Sequence, residues 1–212
     1  MQTITIASQK GGSGKSTLAL HLGTLAQADG TPVLIASDPQ GSRSFWHERR
    51  ADPTPLLVRV TAPRIVEVTD VARREGITWC LIDTAPHDSA SMANAMRVAD
   101  LILIPARPSA LDLHAIEPTL RMAVTLKKRS LVILSQTQPR HAFGEPSSVR
   151  EARDVIKAMG GRVAEAVISS RMVAAQSVIA GLSVGELEPN GPSAKEFQAL
   201  WNEIKQELMT NG

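Results

Sequence analysis

Long apolar segments are missing from this sequence, and cysteine is scarce. No apolar run approaches the roughly 20 residues that a membrane-spanning helix needs, and the N-terminus leads into a predicted strand without a signal-peptide pattern. The one cysteine, Cys80, excludes a disulfide framework or a cysteine metal cluster within one chain. We therefore expect a cytoplasmic protein whose single thiol is a small buried side chain.

A strong net charge is also missing, because the formal charge of the 212 residues is only +2. An apolar fraction of 43% with 21% charged residues is typical of a globular protein, and the length predicts one domain over residues 1–212. The charge is segregated, however. Residues 121–171 contain ten Lys and Arg residues against four Asp and Glu residues, a balance of +6 that leaves −4 for the rest. This region could create a local anion-binding field.

The most informative stretch reads KGGSGKST and lies between a predicted strand and a predicted helix. Its glycines leave successive backbone N–H groups open to a phosphate at the positive end of the helix dipole. Lys15 adds a cation for the β- and γ-phosphates, and the Ser16 hydroxyl is placed to ligate Mg²⁺. The predicted nucleotide-binding residues of this loop are Lys10, Gly11, Gly12, Ser13, Gly14, Lys15, Ser16 and Thr17.

Two carboxylates follow predicted apolar strands. Asp38 comes after the strand at residues 33–36, and Asp83 ends the strand at residues 79–83. In a parallel sheet the carboxyl ends of strands face one ligand crevice, so both side chains can reach the site that the loop opens. Asp83 would bind Mg²⁺ through water or by holding Ser16, and Asp38 would orient a water molecule or hold the water shell of the metal. The predicted metal-site residues are thus Ser16, Asp38 and Asp83.

Strands alternate with helices along the chain, which predicts a doubly wound, mostly parallel α/β sheet with helices on both faces. We expect a helix over residues 117–128 with Pro118 in its first turn, a strand over residues 163–168, and Phe45 and Trp46 in the core.

The Lys10 to Thr17 segment resembles the deviant Walker A motif of the ParA/MinD family of ATPases, and the resemblance extends over essentially the whole chain. It is strongest to the short plasmid-type ParA proteins. The resemblance implies ATP hydrolysis with Mg²⁺ and an ATP-bound homodimer in which each Lys10 crosses to the phosphates of the other subunit. Lys10, Lys15 and Asp38 would then be catalytic.

Other positions also take their expected roles from the resemblance. Residues 38–42 resemble the second family motif, but Ala36 stands where the family usually has another acidic residue, which leaves Asp38 as its only carboxylate. Pro105 falls in a connection that lies near the base and the dimer face in the family. Gln136 follows the strand whose end contacts adenine there. Both are therefore predicted cofactor-binding residues.

The resemblance further implies that the ATP dimer binds non-specific DNA and that a small ParB-like adaptor on the cargo stimulates hydrolysis. This would make the protein nucleoid-associated in the cytoplasm, without a membrane partner. A predicted helix from Ser147 to Met159 carries an apolar stripe, and three cations fall on its opposite face. The candidate DNA-binding residues are Arg150, Arg153, Lys157 and Arg171.

Three other functions fit parts of the sequence. A MinD-like membrane-associated division regulator would need a basic terminal helix, whereas Glu196, Glu203 and Glu207 make the polar side of this one acidic. A small-molecule enzyme related to dethiobiotin synthetase would need a substrate pocket that no motif indicates. An iron–sulfur carrier would need bridging cysteines, and Cys80 is misplaced for that role. The cargo stays open among plasmid, chromosome, carboxysome and chemoreceptor cluster.

Overall fold

Among the residues that the structure describes, seven strands form one sheet, and every strand pair in it is parallel. The computed structural model describes residues 1–37, 42–86, 88–139 and 144–210, with side chains from residue 45 onward in the second range. The spatial order of the strands is β3-β2-β4-β1-β5-β6-β7. The strands are β1 (Gln2–Ile6), β2 (Pro32–Ala36), β3 (Leu56–Arg59), β4 (Trp79–Asp83), β5 (Leu101–Ala106), β6 (Ser130–Thr137) and β7 (Ile168–Ser169).

Helices cover both faces of the sheet, which is why the central strands are almost continuously apolar. Alternate residues of a strand enter different clusters: Ile133 packs with α1 and α9, and Val132 packs with α5 and α6. The predicted doubly wound α/β fold is confirmed. The helices are α1 (Lys15–Ala26), α2 (Ser42–Arg49), α3 (Ile65–Arg74), α4 (Ser89–Val98), α5 (Ala110–Thr125), α6 (Ser147–Ala158), α7 (Met172–Ile179), α8 (Val184–Leu187) and α9 (Pro192–Met209).

The strand register decides which residues meet at the carboxyl edge of the sheet. Asp83, the last residue of β4, is paired with Ile6 of β1 on one side and with Ala36 of β2 on the other. The glycine-rich loop leaves β1 shortly after Ile6, and Asp38 follows β2 by two residues. The register therefore centres Asp83 between the segments that lead to the other two motifs.

The start of α5 differs from the sequence prediction. The helix begins at Ala110, and Pro118 lies in its interior rather than in its first turn. The Ser109 hydroxyl accepts a hydrogen bond from the Asp112 amide, which caps the helix seven residues before the predicted start. Because a proline is common in a first helical turn, the sequence favoured the later start.

The strand predicted over residues 163–168 is also shorter than expected. Only Ile168 and Ser169 form β7, and Val163 makes an isolated bridge with Val132. Carboxylates of α9 take the backbone donors in this segment: Glu203 accepts from the amides of residues 165 and 166, and Glu196 accepts from that of Ser169. These acidic residues of α9 thus have structural partners.

The aromatic residues divide between core and surface. Trp46 is fully buried, as predicted, but the prediction for Phe45 is wrong, because its ring is 40% exposed and lies under the Arg49 guanidinium. In α9, Trp201 is buried and packs edge-on against Trp79, so this helix packs on the sheet as expected. In the described part of the chain, no helix combines the length and apolar character that crossing a bilayer requires.

Candidate nucleotide site

The glycine-rich loop between β1 and α1 has the backbone conformation of an anion-binding turn. Gly12 and Gly14 have φ values of +70° and +97°, a region that residues with a Cβ rarely occupy. Gly14 is the N-cap of α1 and has no side chain to cap the helix, and no acidic residue lies in the first turn. The first amides of α1 are therefore open to an anion, with the helix dipole favouring negative charge.

Lys15 brings a cation into this turn. Its side chain is largely buried, and its Nζ donates to the carbonyl oxygen of Lys10 at 3.1 Å. Ser16, the next residue of α1, lines a cavity beside the loop. The structure thus brings a buried ammonium, a hydroxyl and unencumbered amides to one helix end, as the sequence predicts for a phosphate site.

Side chains at, or just after, the ends of two other strands contact the loop. The carbonyl oxygen of Gly12 accepts hydrogen bonds from Arg107 Nη2 at 3.0 Å and from Gln136 Nε2 at 2.9 Å. The carbonyl oxygen of Ser13 accepts one from Ser135 Oγ at 3.1 Å. Sequence reasoning placed Gln136 near the base and missed the roles of Arg107 and Ser135. Their positions at the ends of β5 and β6 were the only available signal.

Lys10 lies outside this cluster and contacts the start of α5. Its Nζ is 2.8 Å from an Asp112 carboxylate oxygen, whose side chain is only 8% exposed. Ser109 Oγ donates to the other oxygen at 2.6 Å. Burial raises the pKa of Asp112, but the hydrogen bonds from Lys10 and Ser109 outweigh it and hold this pKa below its usual value. Asp112 is therefore ionised at neutral pH and holds Lys10 at the start of α5.

The predicted metal-site carboxylate Asp83 is buried at the end of β4. Next to it, Thr84 donates its hydroxyl to the Ile6 carbonyl at 3.0 Å, which ties β4 to the base of the loop. Asp38 lies outside the described residues, but Ser37 before it is fixed. The Ser37 hydroxyl donates to the Asp83 carbonyl at 3.3 Å and accepts from the Ala85 amide at 3.0 Å.

A cavity of about 400 Å³ opens beside the loop, between α1, the end of β6 and α7. Its volume falls within the range of small-molecule and cofactor sites. Thr17, Gln136 and Arg171 line it, whereas Pro105 does not. Pro105 lies inside β5, opposite Ile133, rather than in the following connection, which corrects its predicted place.

The four cations predicted to contact DNA have different environments. Arg150 and Lys157 are exposed on α6, and neither has an ion pair within 4 Å among the described residues. Arg153 is buried, so its predicted place on the exposed face is wrong. Arg171 is 27% exposed, pairs with Glu196 at 3.2 Å and borders the cavity.

The guanidinium of Arg153 makes hydrogen bonds and an ion pair within the fold. It donates to the carbonyl oxygens of Ala164 at 2.6 Å and Glu165 at 2.9 Å, and it pairs with the Glu145 carboxylate at 3.1 Å. These contacts join α6 to the segment before β7. Helical spacing alone cannot reveal this, because a long side chain can turn back toward the core from the margin of a polar face.

Replacing Arg153 by alanine should therefore destabilise the fold rather than weaken a DNA contact. Two backbone carbonyls and one carboxylate lose a buried charged donor, so the free energy of unfolding should fall by ~2–4 kcal/mol in urea titrations. The matched change Arg150→Ala, on the exposed side of the same helix, should shift it by less than ~0.5 kcal/mol. Equal stability of the Arg153 variant and the wild type would contradict this assignment.

The parallel sheet, glycine-rich turn, buried lysine and strand-end aspartate together define a nucleotide-binding protein of the phosphate-loop class. Comparison with known families makes the assignment specific: the family described as "CobQ/CobB/MinD/ParA nucleotide binding domain" matches residues 4–207. The chain belongs to this family, which confirms the predicted ParA/MinD relationship.

Individual relatives cover nearly the full chain. Maintenance of carboxysome distribution protein A from Gloeobacter kilaueensis is 31% identical over 98% of this chain and 94% of that protein. The chromosome-partitioning ATPase Soj from Thermus thermophilus is 23% identical, covering 96% and 95%.

Solved structures show the same fold at low sequence identity. A McdA variant from Cyanothece in complex with ATP has a TM-score of 0.78 at 18% identity, covering 98% of this chain and 96% of that one. The septum site-determining protein MinD from Pyrococcus horikoshii, complexed with Mg-ADP, also has a TM-score of 0.78, at 17% identity, covering 100% and 98%. The ligands of these two neighbours agree with the predicted cofactors ATP and Mg²⁺.

Proposed function

We propose that this protein is an ATPase that positions a large intracellular cargo by cycling between an ATP-bound dimer on DNA and a free ADP form. One observation carries the proposal. The extra lysine of the loop, Lys10, is held 2.8 Å from Asp112 at the start of α5, with 37% of its side chain exposed. Lys15 already supplies the cation within the loop, so Lys10 could serve the phosphates of a second subunit once it leaves Asp112.

The chemistry of the site supports ATP as substrate. The loop amides and Lys15 would hold the β- and γ-phosphates, and the cavity at Thr17 and Gln136 would take the nucleoside. The Ser16 hydroxyl and the Asp83 carboxylate are oxygen groups of the kind that Mg²⁺ prefers, and Mg²⁺ bound there would neutralise charge on the phosphates. Asp38 would orient the attacking water.

The cycle is a population shift between monomer and dimer. The γ-phosphate offers Lys10 of the partner subunit a contact that ADP cannot offer, so ATP favours the dimer and hydrolysis releases it. To reach across, Lys10 must leave the carboxylate of Asp112. The balance between these two ion pairs is therefore one determinant of how readily the dimer forms.

The DNA-binding surface would be formed by α6 and its surroundings. Arg150 and Lys157 are exposed there, and Lys127, two residues after α5, is exposed as well. Doubling these cations in a dimer would strengthen the attraction to the DNA backbone without reading its sequence. Arg171 stays a candidate contact, but Arg153 leaves the set because its charge is buried.

The relatives suggest what is moved. Their printed names concern carboxysome distribution and chromosome partitioning, which are both positioning tasks on a large body. We propose that a small adaptor protein on the cargo stimulates hydrolysis by this ATPase. The ATPase would then leave the DNA only in the neighbourhood of the cargo. Plasmid, chromosome and carboxysome all fit this scheme.

The decisive experiment measures binding to a random-sequence duplex with ATP, with ADP and without nucleotide. We expect binding only with ATP, with an affinity that falls steeply as salt rises. The double variant Arg150→Ala/Lys157→Ala should bind about tenfold more weakly or worse, and its salt dependence should be shallower by roughly one unit of slope per lost phosphate contact.

A charge-matched control is Arg74→Ala/Arg97→Ala, which removes two exposed cations from α3 and α4 and should leave DNA binding unchanged. Equal DNA affinity in all three nucleotide states would contradict the switch. If the protein instead sediments with anionic vesicles in the presence of ATP and does not bind DNA, the result would support a membrane cycle of the MinD kind.

A further inference from the structure

Arg107 contacts the nucleotide loop from the connection between β5 and α5. Its Nη2 donates to the carbonyl oxygen of Gly12 at 3.0 Å, although the two residues are 95 positions apart in sequence. Pro108 follows it, and the Ser109 amide donates to the Arg107 carbonyl at 2.8 Å, which makes the connection a tight turn. The guanidinium has no ion pair within 4 Å among the described residues, so this carbonyl is its principal partner.

The hydrogen bond from Arg107 to the Gly12 carbonyl also affects the direction of the next backbone N–H. In a trans peptide the C=O of one residue and the N–H of the next point in opposite directions. A donor that fixes the direction of the Gly12 carbonyl therefore also fixes the direction of the Ser13 N–H. By the same rule, the bond from Ser135 to the Ser13 carbonyl fixes the direction of the Gly14 N–H.

The loop needs these hydrogen bonds because its glycine residues restrict its backbone conformation only weakly. Glycine occupies positive and negative φ with similar ease, and Gly12 supplies one of the two backbone dihedrals about which the peptide between Gly12 and Ser13 reorients. A carbonyl oxygen has two lone pairs, and the Gly12 carbonyl accepts from both Arg107 and Gln136. One donor comes from the end of β5 and the other from the end of β6.

We propose that Arg107 is a positioning residue of the nucleotide site: by bonding the Gly12 carbonyl, it keeps the Ser13 amide directed at the phosphates before a nucleotide binds. The inference rests on the proposed function only in taking the loop as the phosphate site. Preorganised donors bind better than donors that must first reorient, because the ordering has occurred before binding.

The test measures the dissociation constants of Mg-ATP, Mg-ADP and adenosine for Arg107→Ala by calorimetry. ATP and ADP should both bind about fivefold to tenfold more weakly, because both place phosphates at the loop amides and one charged hydrogen bond is lost. Adenosine, which has no phosphate, should bind as it does to the wild type. Arg107→Lys, which retains a charged donor, should recover most of the loss.

Gln136 provides a second measurement, because it donates to the same carbonyl. Either donor alone can hold the peptide in part, so the double variant Arg107→Ala/Gln136→Ala should lose more affinity than the product of the two single losses. Arg97→Ala, which removes an exposed arginine of α4, is the control and should leave all three constants unchanged. Thermal unfolding of the Arg107 variants should match the wild type within about 2 °C, since the residue is exposed.

Several results would overturn the assignment. A loss confined to ATP would place Arg107 at the γ-phosphate or the dimer face, and an equal loss for adenosine would make its role structural. Unchanged constants, with wild-type protein binding both nucleotides, would remove Arg107 from the site and leave the proposed function intact. Absence of nucleotide binding by the wild type would instead refute the proposed function.

Discussion

Replacing Lys15 by alanine is expected to abolish ATP-dependent dimerisation and DNA binding, with a loss of at least ~100-fold in ATP affinity. The Lys15 side chain is largely buried at the first position of α1, and its ammonium lies within the loop, 3.1 Å from the Lys10 carbonyl. No other described lysine occupies this position, so its charge cannot be replaced from within the subunit. Calorimetry with Mg-ATP measures the loss of ATP affinity, light scattering measures the loss of the dimer, and a duplex-binding assay measures the loss of DNA binding.

The matched control is Lys195→Ala, which removes an exposed lysine from α9 and should bind ATP as the wild type does. The circular dichroism spectrum of the Lys15 variant should be unchanged, because the loop backbone is held by Arg107, Ser135 and Gln136. ATP binding within threefold of the wild type would show that the loop does not hold the triphosphate in this way.

Replacing Asp38 by alanine is expected to give the opposite phenotype: a dimer that binds ATP and DNA but hydrolyses ATP ~100-fold to 1,000-fold more slowly. Asp38 follows Ser37, which hydrogen bonds fix to β4 beside Asp83. Ala36 leaves the motif no second carboxylate that could take over the orientation of water. Phosphate release and the lifetime of the complex on DNA, measured after dilution, report the two properties separately.

A control for the Asp38 experiment is Asp70→Ala, which removes an exposed carboxylate of α3 that pairs with Arg73. Its hydrolysis rate should equal that of the wild type. If the Asp38 variant instead loses ATP binding as completely as the Lys15 variant does, Asp38 belongs to nucleotide or metal binding and not to the orientation of water.

The sequence predicted the site best where a local pattern determines the geometry. Gly12, Gly14 and Lys15 lie within a short strand-to-helix turn, and the strand that ends at Asp83 is apolar throughout, so spacing was sufficient. Contacts between distant segments were not predictable in the same way. The bond from Arg107 to Gly12 depends on β5 lying beside β1, and nothing in the local sequence around residue 107 marks it.

Side-chain length caused the error at Arg153. Helical spacing put this residue with Arg150 and Lys157, yet its long chain reaches carbonyls of the segment before β7. A short motif is thus informative about a site built by one loop. To predict a surface that several helices form together, the packing of those helices must be known. Here the packing buries Arg153, one of the three cations that helical spacing had placed on the exposed face.

The carboxylates of α9 have a consequence for self-assembly. β7 is the last strand of the sheet, and the outward amides around it would ordinarily offer a template on which a strand of another molecule could add. Glu196 and Glu203 already occupy the amides of residues 165, 166 and 169. A neighbouring chain would have to displace these two side chains to extend the sheet there, which disfavours the addition of a foreign strand at this border.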